Sequence, residues 1–211
     1  MVTRDGARRQ PEAVDQERAR LFALLGRLLS DAPDAALLDR LAGLPGDGGA
    51  TPVGAALGRL AGAATAAGAG AGAPLVEREF FRLFVGVGRG ELLPYASWYL
   101  TGFLQERPLA DLRGELARLG IARAPGVAEP EDHIAFLCET FAGLLDGTLG
   151  AAGGAGEPDA AAGFFARHLR PWAGRLFADL EAAEAARFYR AVGTLGRVAV
   201  EIEAAAADLP G

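Results

Sequence analysis

"DQERARLFALLGRLLS", residues 15–30, sets Leu21, Leu24, Leu25, Leu28 and Leu29 at i, i+3, i+4, i+7 and i+8. A helical turn of 3.6 residues brings that spacing onto one face, whereas a strand would scatter it over two. The same period recurs at Val76, Phe80, Leu83 and Phe84, and again at Leu109, Leu112, Leu116 and Leu119. It returns at Ile134, Leu137, Cys138, Phe141, Leu144 and Leu145, then at Phe165, Leu169, Trp172, Leu176 and Leu180. A last stretch carries Phe188, Val192, Leu195, Val198 and Ile202. Sustained alternation with period two is absent. The pattern predicts an all-α chain, a single compact helical domain of about eight helices.

Breakers set the expected boundaries. Residues 1–14 are polar and read as a flexible N-terminus, with Asp15 as the N-cap of the first helix and residues 15–206 as the domain. "DAALLDRLAGL" predicts a short second helix, and the glycine-containing "VGAALGRLAGAATAAG" a weak third. The Gly/Ala-rich stretch 147–157 reads as a linker inside the domain, and Pro171 should kink or divide the helix it interrupts.

Charge and cysteine content narrow the function. A net charge of −6 argues against sequence-independent nucleic-acid binding, which needs a basic surface. A single cysteine, Cys138, allows no internal disulfide and no CxxC metal site. No apolar run follows Arg4, Arg8 and Arg9, and no window resembles a membrane span, so a cytoplasmic protein without stable membrane insertion is expected.

"EPEDHIAFLCETFAGLL" concentrates the chemically capable residues. Glu129 and His133 are four apart, not at the Glu-x-x-His spacing of helical di-iron sites, and no second copy exists, so no metal or cofactor is expected. Asp132 and His133 form a conceivable acid–base pair, but no nucleophile motif accompanies them, and Cys138 lies on an apolar face. "GVGRGE" matches neither phosphate-loop pattern and follows a helix instead of a strand. A helix start accounts for Glu129 as cap, Pro130 at the first helical position, and Glu131 and Asp132 beside the N-terminal dipole. It leaves His133 without a reason.

Two segments together resemble a known family. "EREFFRLFVGVGRGELLPYASWYL" is similar to the E-x-x-x-LF-x-G-x-G…P-Y-x-S-x-Y pattern of the TorD/DmsD-type chaperones, and "EPEDH" to their E-P-x-D-H helix start. The closing "FFARHLRPWAGRLFADLEAA" and "FYRAVGTLGRVAVEIE" resemble their last helices, so the likeness runs over residues 17 to 203. Val87 stands where many members carry proline, and Trp98 at a position that varies.

The resemblance implies a non-catalytic TorD-like chaperone in the cytoplasm. Such a protein binds the twin-arginine signal peptide and apoprotein of an exported molybdenum-dependent oxidoreductase until its cofactor is inserted; the variant here is similar to those of formate dehydrogenases. Carried over by motif, the binding residues are Leu83, Phe84, Pro94, Tyr95, Ser97, Tyr99, Asp132 and His133, with Glu79, Gly86, Glu129 and Pro130 as structural motif positions. Relatives occur as monomers and homodimers. An apolar groove beside acids suits such a peptide, with Asp132, Glu131 or Glu91 accepting its arginines. The alternatives are a small helical enzyme built on Asp132 and His133, and a helical scaffold or regulator.

Overall fold

The computed structural model describes residues 12–68, 72–124, 126, 128–150 and 160–208. Among them run ten α-helices: α1 (Ala13–Ser30), α2 (Ala35–Ala42), α3 (Pro52–Gly68), α4 (Ala73–Phe80), α5 (Ala96–Thr101), α6 (Arg107–Arg118), α7 (Ile134–Leu145), α8 (Ala160–Phe164), α9 (Ala173–Ala182) and α10 (Phe188–Ala207). Five-residue π-helical stretches, Phe81–Val85 and Phe165–Leu169, continue α4 and α8. The fold is all-α as expected, with more helices than the pattern counted. Pro171, lacking an N–H, divides α8 from α9, and α5 has only six residues, too few for a period to register. The expected terminus at residues 1–11 and linker residues 151–157 lie outside the described residues.

Local chemistry explains most starts. Asp34 accepts the Leu37 N–H at 2.7 Å and caps α2. Asp15 does not cap α1: the helix begins at Ala13, and Asp15 falls in its first turn, where its charge still favours the dipole.

α7 is buried on nearly every side. Its sequence offers one charge, Glu139, and nine of its residues are buried. It lies along α1, where the Phe22 ring meets Phe141 edge-on at 4.7 Å, and Phe141 continues to Phe165 at 5.5 Å. The stripe Phe165, Leu169, Trp172, Leu176 and Leu180 is buried throughout. α10 packs against α9 and α3. Its inward face runs Phe188, Val192, Leu195, Ala199 and Glu203, so the expected stripe fails at its end: Val198 is half-buried and Ile202 is 42% exposed. Glu203 is held inside by a forked pair with Arg18 of α1, at 2.7 and 2.5 Å.

Candidate functional site

The front of the molecule is assembled from two joints. In the first, Glu79 ends the apolar face of α4 and reaches the start of α10. Its carboxylate accepts the backbone N–H groups of Arg187, Phe188 and Tyr189 at 2.7, 3.1 and 2.7 Å. Three orphan donors of a helix N-terminus are thus satisfied from a distant element. Around it Phe80, Phe84 and Tyr189 stack at 5.1 to 5.8 Å, and the Tyr189 hydroxyl donates to the Leu28 carbonyl at 3.0 Å. Leu83 is completely buried and Phe84 half-buried against this cluster, so both face the core.

The glycines after the π-helical stretch turn the chain sharply. Gly86 has φ +65°, and a side chain there would meet the Arg89 backbone. At Gly90 a Cβ would lie 2.6 Å from the Leu83 carbonyl oxygen. This close return lets the Glu91 and Leu92 amides donate to Arg82 and Leu83 at 3.1 and 2.8 Å. Val87, at the tip, is 98% exposed.

The second joint stitches the P-Y-x-S segment to E-P-x-D-H. Tyr95 and His133 form an isolated antiparallel bridge, with the Ala96 N–H on the Asp132 carbonyl at 3.0 Å and the Ile134 N–H on Pro94 at 2.9 Å. Asp132 then caps α5 from across the bridge: one carboxylate oxygen accepts the Ser97 N–H at 2.9 Å and the Ser97 hydroxyl at 2.5 Å. Tyr95 adds an edge-on contact with the His133 ring at 5.1 Å and a hydrogen bond to Glu129.

α7 starts later than expected. Glu129 and Pro130 are not its cap and first residue. Pro130 opens a turn closed by the His133 N–H at 3.2 Å, and His133 is the N-cap. Its Nδ1 accepts the Ala135 N–H at 3.2 Å, which requires the neutral ring carrying its proton on Nε2. Burial lowers the His133 pKa, against the pull of the Glu129 and Asp132 carboxylates. The histidine left unexplained by its sequence is therefore a capping residue.

The acids expected to meet arginines are already engaged. Glu131 takes two bonds from Arg113, at 3.0 and 2.8 Å, and Glu91 accepts the Glu184 and Ala185 amides at 2.6 and 3.1 Å. Asp132 is 1% exposed, so its carboxylate, expected to face a peptide, is closed off in this conformation. Its second oxygen, Oδ1, has no hydrogen-bond partner, the one such buried side-chain atom among the described residues. Both tyrosines are tethered too: the Tyr99 hydroxyl donates to Asp179 at 2.8 Å, Arg175 donates to the Tyr99 carbonyl, and burial raises both tyrosine pKa values.

The exposed apolar side chains gather on the stretch that carries these joints. Of nine large apolar side chains exposed among the described residues, six fall between residues 81 and 104: Phe81, Val85, Val87, Leu100, Phe103 and Leu104. Leu100 and Ala96 also line a cavity of about 510 Å³ between α5, α6, α7 and the chain around Pro171. On its wall the Glu115 carboxylate receives Arg167 at 2.7 and 2.5 Å and His168 at 2.8 Å. Burial opposes the ionisation of Glu115, but the Arg167 and His168 hydrogen bonds outweigh it and hold the carboxyl below its usual range. A second cavity, about 500 Å³, lies between α3, α4 and the chain before α10. No group of three or more His, Cys, Asp or Glu residues among the described residues is placed to hold a metal. Burial raises the Cys138 thiol pKa and keeps it neutral in the core.

Sequence reasoning missed Arg113, Arg123 and the capping targets of Glu79 and Glu91. Arg123 donates to the Glu129 carbonyl at 2.9 Å and so holds the turn before α7. No local signal marks these pairs, because the partners are remote in sequence. Leu100, Phe103 and Leu104 were legible as apolar residues in a polar, glycine-bearing stretch.

The family described as "Nitrate reductase delta subunit" matches residues 47–178, well over half of the chain, including Glu79 and the whole of the α5–α7 joint. Chaperone protein TorD of Aliivibrio fischeri is 36% identical over 69 residues. That stretch covers 32% of this chain and 32% of the relative.

Proposed function

The chain belongs to the nitrate reductase delta subunit family, the TorD family, and from that premise we propose that it is a cytoplasmic chaperone for maturation of a molybdenum-dependent oxidoreductase. It binds the twin-arginine signal peptide and the apoprotein, with formate dehydrogenase as client, and delays export until the cofactor is in place. The observation that carries this reading is the exposed apolar cluster Leu100, Phe103 and Leu104 at the end of α5, the helix capped by a buried carboxylate with one unsatisfied oxygen. A signal peptide supplies both complements, an apolar run and guanidinium groups. The apolar run lies over Leu100, Phe103 and Leu104 and enters the cavity that Leu100 lines. One arginine reaches Asp132 Oδ1 once the Tyr95–Glu129 contact opens. No helix among the described residues is long and apolar enough to cross a membrane.

The acid–base reading of Asp132 and His133 gains no support from the geometry. The Nδ1 of His133 and one oxygen of Asp132 are engaged in capping, and neither residue lines either large cavity. Calorimetry with a twin-arginine signal peptide tests the proposal. Phe103→Ser and Leu104→Ser together should weaken binding about tenfold with the fold intact. Unchanged affinity would overturn the assignment of the surface. Affinity capture from the native host, read by mass spectrometry, should return a formate dehydrogenase catalytic subunit; another molybdenum oxidoreductase in its place would replace the client and leave the chaperone.

A further inference from the structure

The cavity between α3, α4 and the chain before α10 is separate from the stitched motifs. Ala63, Ala67, Leu75 and Phe188 give it an apolar lining, and Arg82 and Arg187 stand on its wall. Leu75, Arg78, Arg82 and Val85 follow one another along the solvent side of α4 and its π-helical extension, with Phe81 beside them. Arg78, Arg82 and Arg187 are exposed, and no hydrogen bond or ion pair occupies their guanidinium groups among the described residues. Further along, Arg89 lies over the Trp98 ring at 5.2 Å and has no carboxylate partner. The carboxylates nearest this face are few. Glu79, on the cavity wall, is buried on three amides and Glu91 is bound to two more, which leaves Glu77 exposed on the face and Glu184 exposed at the cavity, one carboxylate against the two arginines there. A chain of net charge −6 thus places two unpaired guanidinium groups, Arg82 and Arg187, on the wall of a largely apolar cavity, with Arg78 on the same side of α4.

We infer that this face is a second docking surface, which takes a segment bearing one large apolar side chain flanked by carboxylates. The cavity, about 500 Å³, accommodates the apolar side chain, while Arg82 and Arg187 bind the flanking acids through forked, charge-assisted hydrogen bonds. A twin-arginine segment is the wrong occupant, since its charges would face like charges. The inference deepens the chaperone reading and rests on it: the acidic segment belongs to the body of the client apoprotein, and the signal peptide lies at the other surface. Two surfaces of opposite preference on one chaperone let a client be held at two points, which raises avidity without strengthening either contact.

The test uses the full chain and two fluorescent peptides, one with a phenylalanine flanked by glutamates and aspartates, the other a twin-arginine signal peptide. Anisotropy should show the acidic peptide binding, weakening as salt rises, and not displaced by the twin-arginine peptide. Arg82→Glu with Arg187→Glu should weaken the acidic peptide at least about tenfold and leave the twin-arginine peptide unchanged. Ala67→Phe, which fills the cavity, should weaken the acidic peptide as well, with thermal melting as the check on folding. Equal affinity for the charge-reversed chain, or mutual competition between the peptides, overturns the inference while the signal-peptide reading stands. Binding of the acidic peptide alone sinks the signal-peptide reading and keeps this surface.

Discussion

Glu79 and Asp132 perform the same task at two places and do so to different degrees. Each is a buried carboxylate that caps a helix from a distant element. Glu79 uses both oxygens on three amides of α10 and is complete. Asp132 uses one oxygen on Ser97 and leaves the other without a partner. A carboxylate oxygen shut away from water and unpaired is costly, and a partner that pairs it relieves that cost. The contrast is between a joint whose carboxylate is fully used and one whose carboxylate keeps a free acceptor, the acceptor that the proposed function assigns to a client arginine.

The largest expected effect falls on the complete joint. Glu79→Ala strands three amides at the start of α10 and should cost roughly 3 kcal/mol, read as a lower urea midpoint. A loss well under about 1 kcal/mol would dissolve the distinction. Asp132→Asn comes next. Its amide oxygen can still accept from Ser97, so stability should change by no more than about 1 kcal/mol, while affinity for a twin-arginine peptide should fall about tenfold. Unchanged affinity with an intact fold would make Asp132 as purely structural as Glu79.

Acid should separate the joints further. His133 has a lowered pKa when folded and the ordinary value, 6.5, when unfolded, with burial as the first cause. Between those two values the unfolded chain binds more protons, so stability falls as pH drops below about 6.5, with a slope of at most about 1.4 kcal/mol per pH unit for one histidine. His168, lowered by burial despite Glu115, acts in the same direction. His133→Asn keeps a capping side chain and should flatten only its own share of the pH dependence, measured by denaturation at several pH values. Smallest of all is Val87→Ser at the exposed loop tip, which should alter stability by less than about 0.5 kcal/mol in a thermal melt.

Spacing carried the helices well because burial and period coincide along most of them. Where they diverge, the reading slipped. In α10, small Ala199 and paired Glu203 take the inward places that Val198 and Ile202 would have claimed on hydrophobicity alone. The start of α7 was misplaced because Pro130 and its flanking acids match a helix entry as well as they match the turn they make, and only the bridge to Pro94 decides between them. The candidate site was legible as a set of residues and illegible as a set of roles. Motif likeness brought Tyr95, Ser97, Asp132 and His133 together, and the structure confirms them as neighbours. Whether a carboxylate faces out or caps a helix depends on amides remote in sequence, and no window of sequence contains both.

The Glu79 joint also sets an order of events during synthesis. Residue 79 emerges from a ribosome long before Arg187, Phe188 and Tyr189, the amides that complete it. Closing so long a loop is slow relative to local helix formation, because its entropy must be met before the contact forms. A nascent or truncated chain can coil its early helices and yet lack the anchor behind Leu83 and Phe84. The α4–α10 anchor is therefore among the last contacts this chain completes.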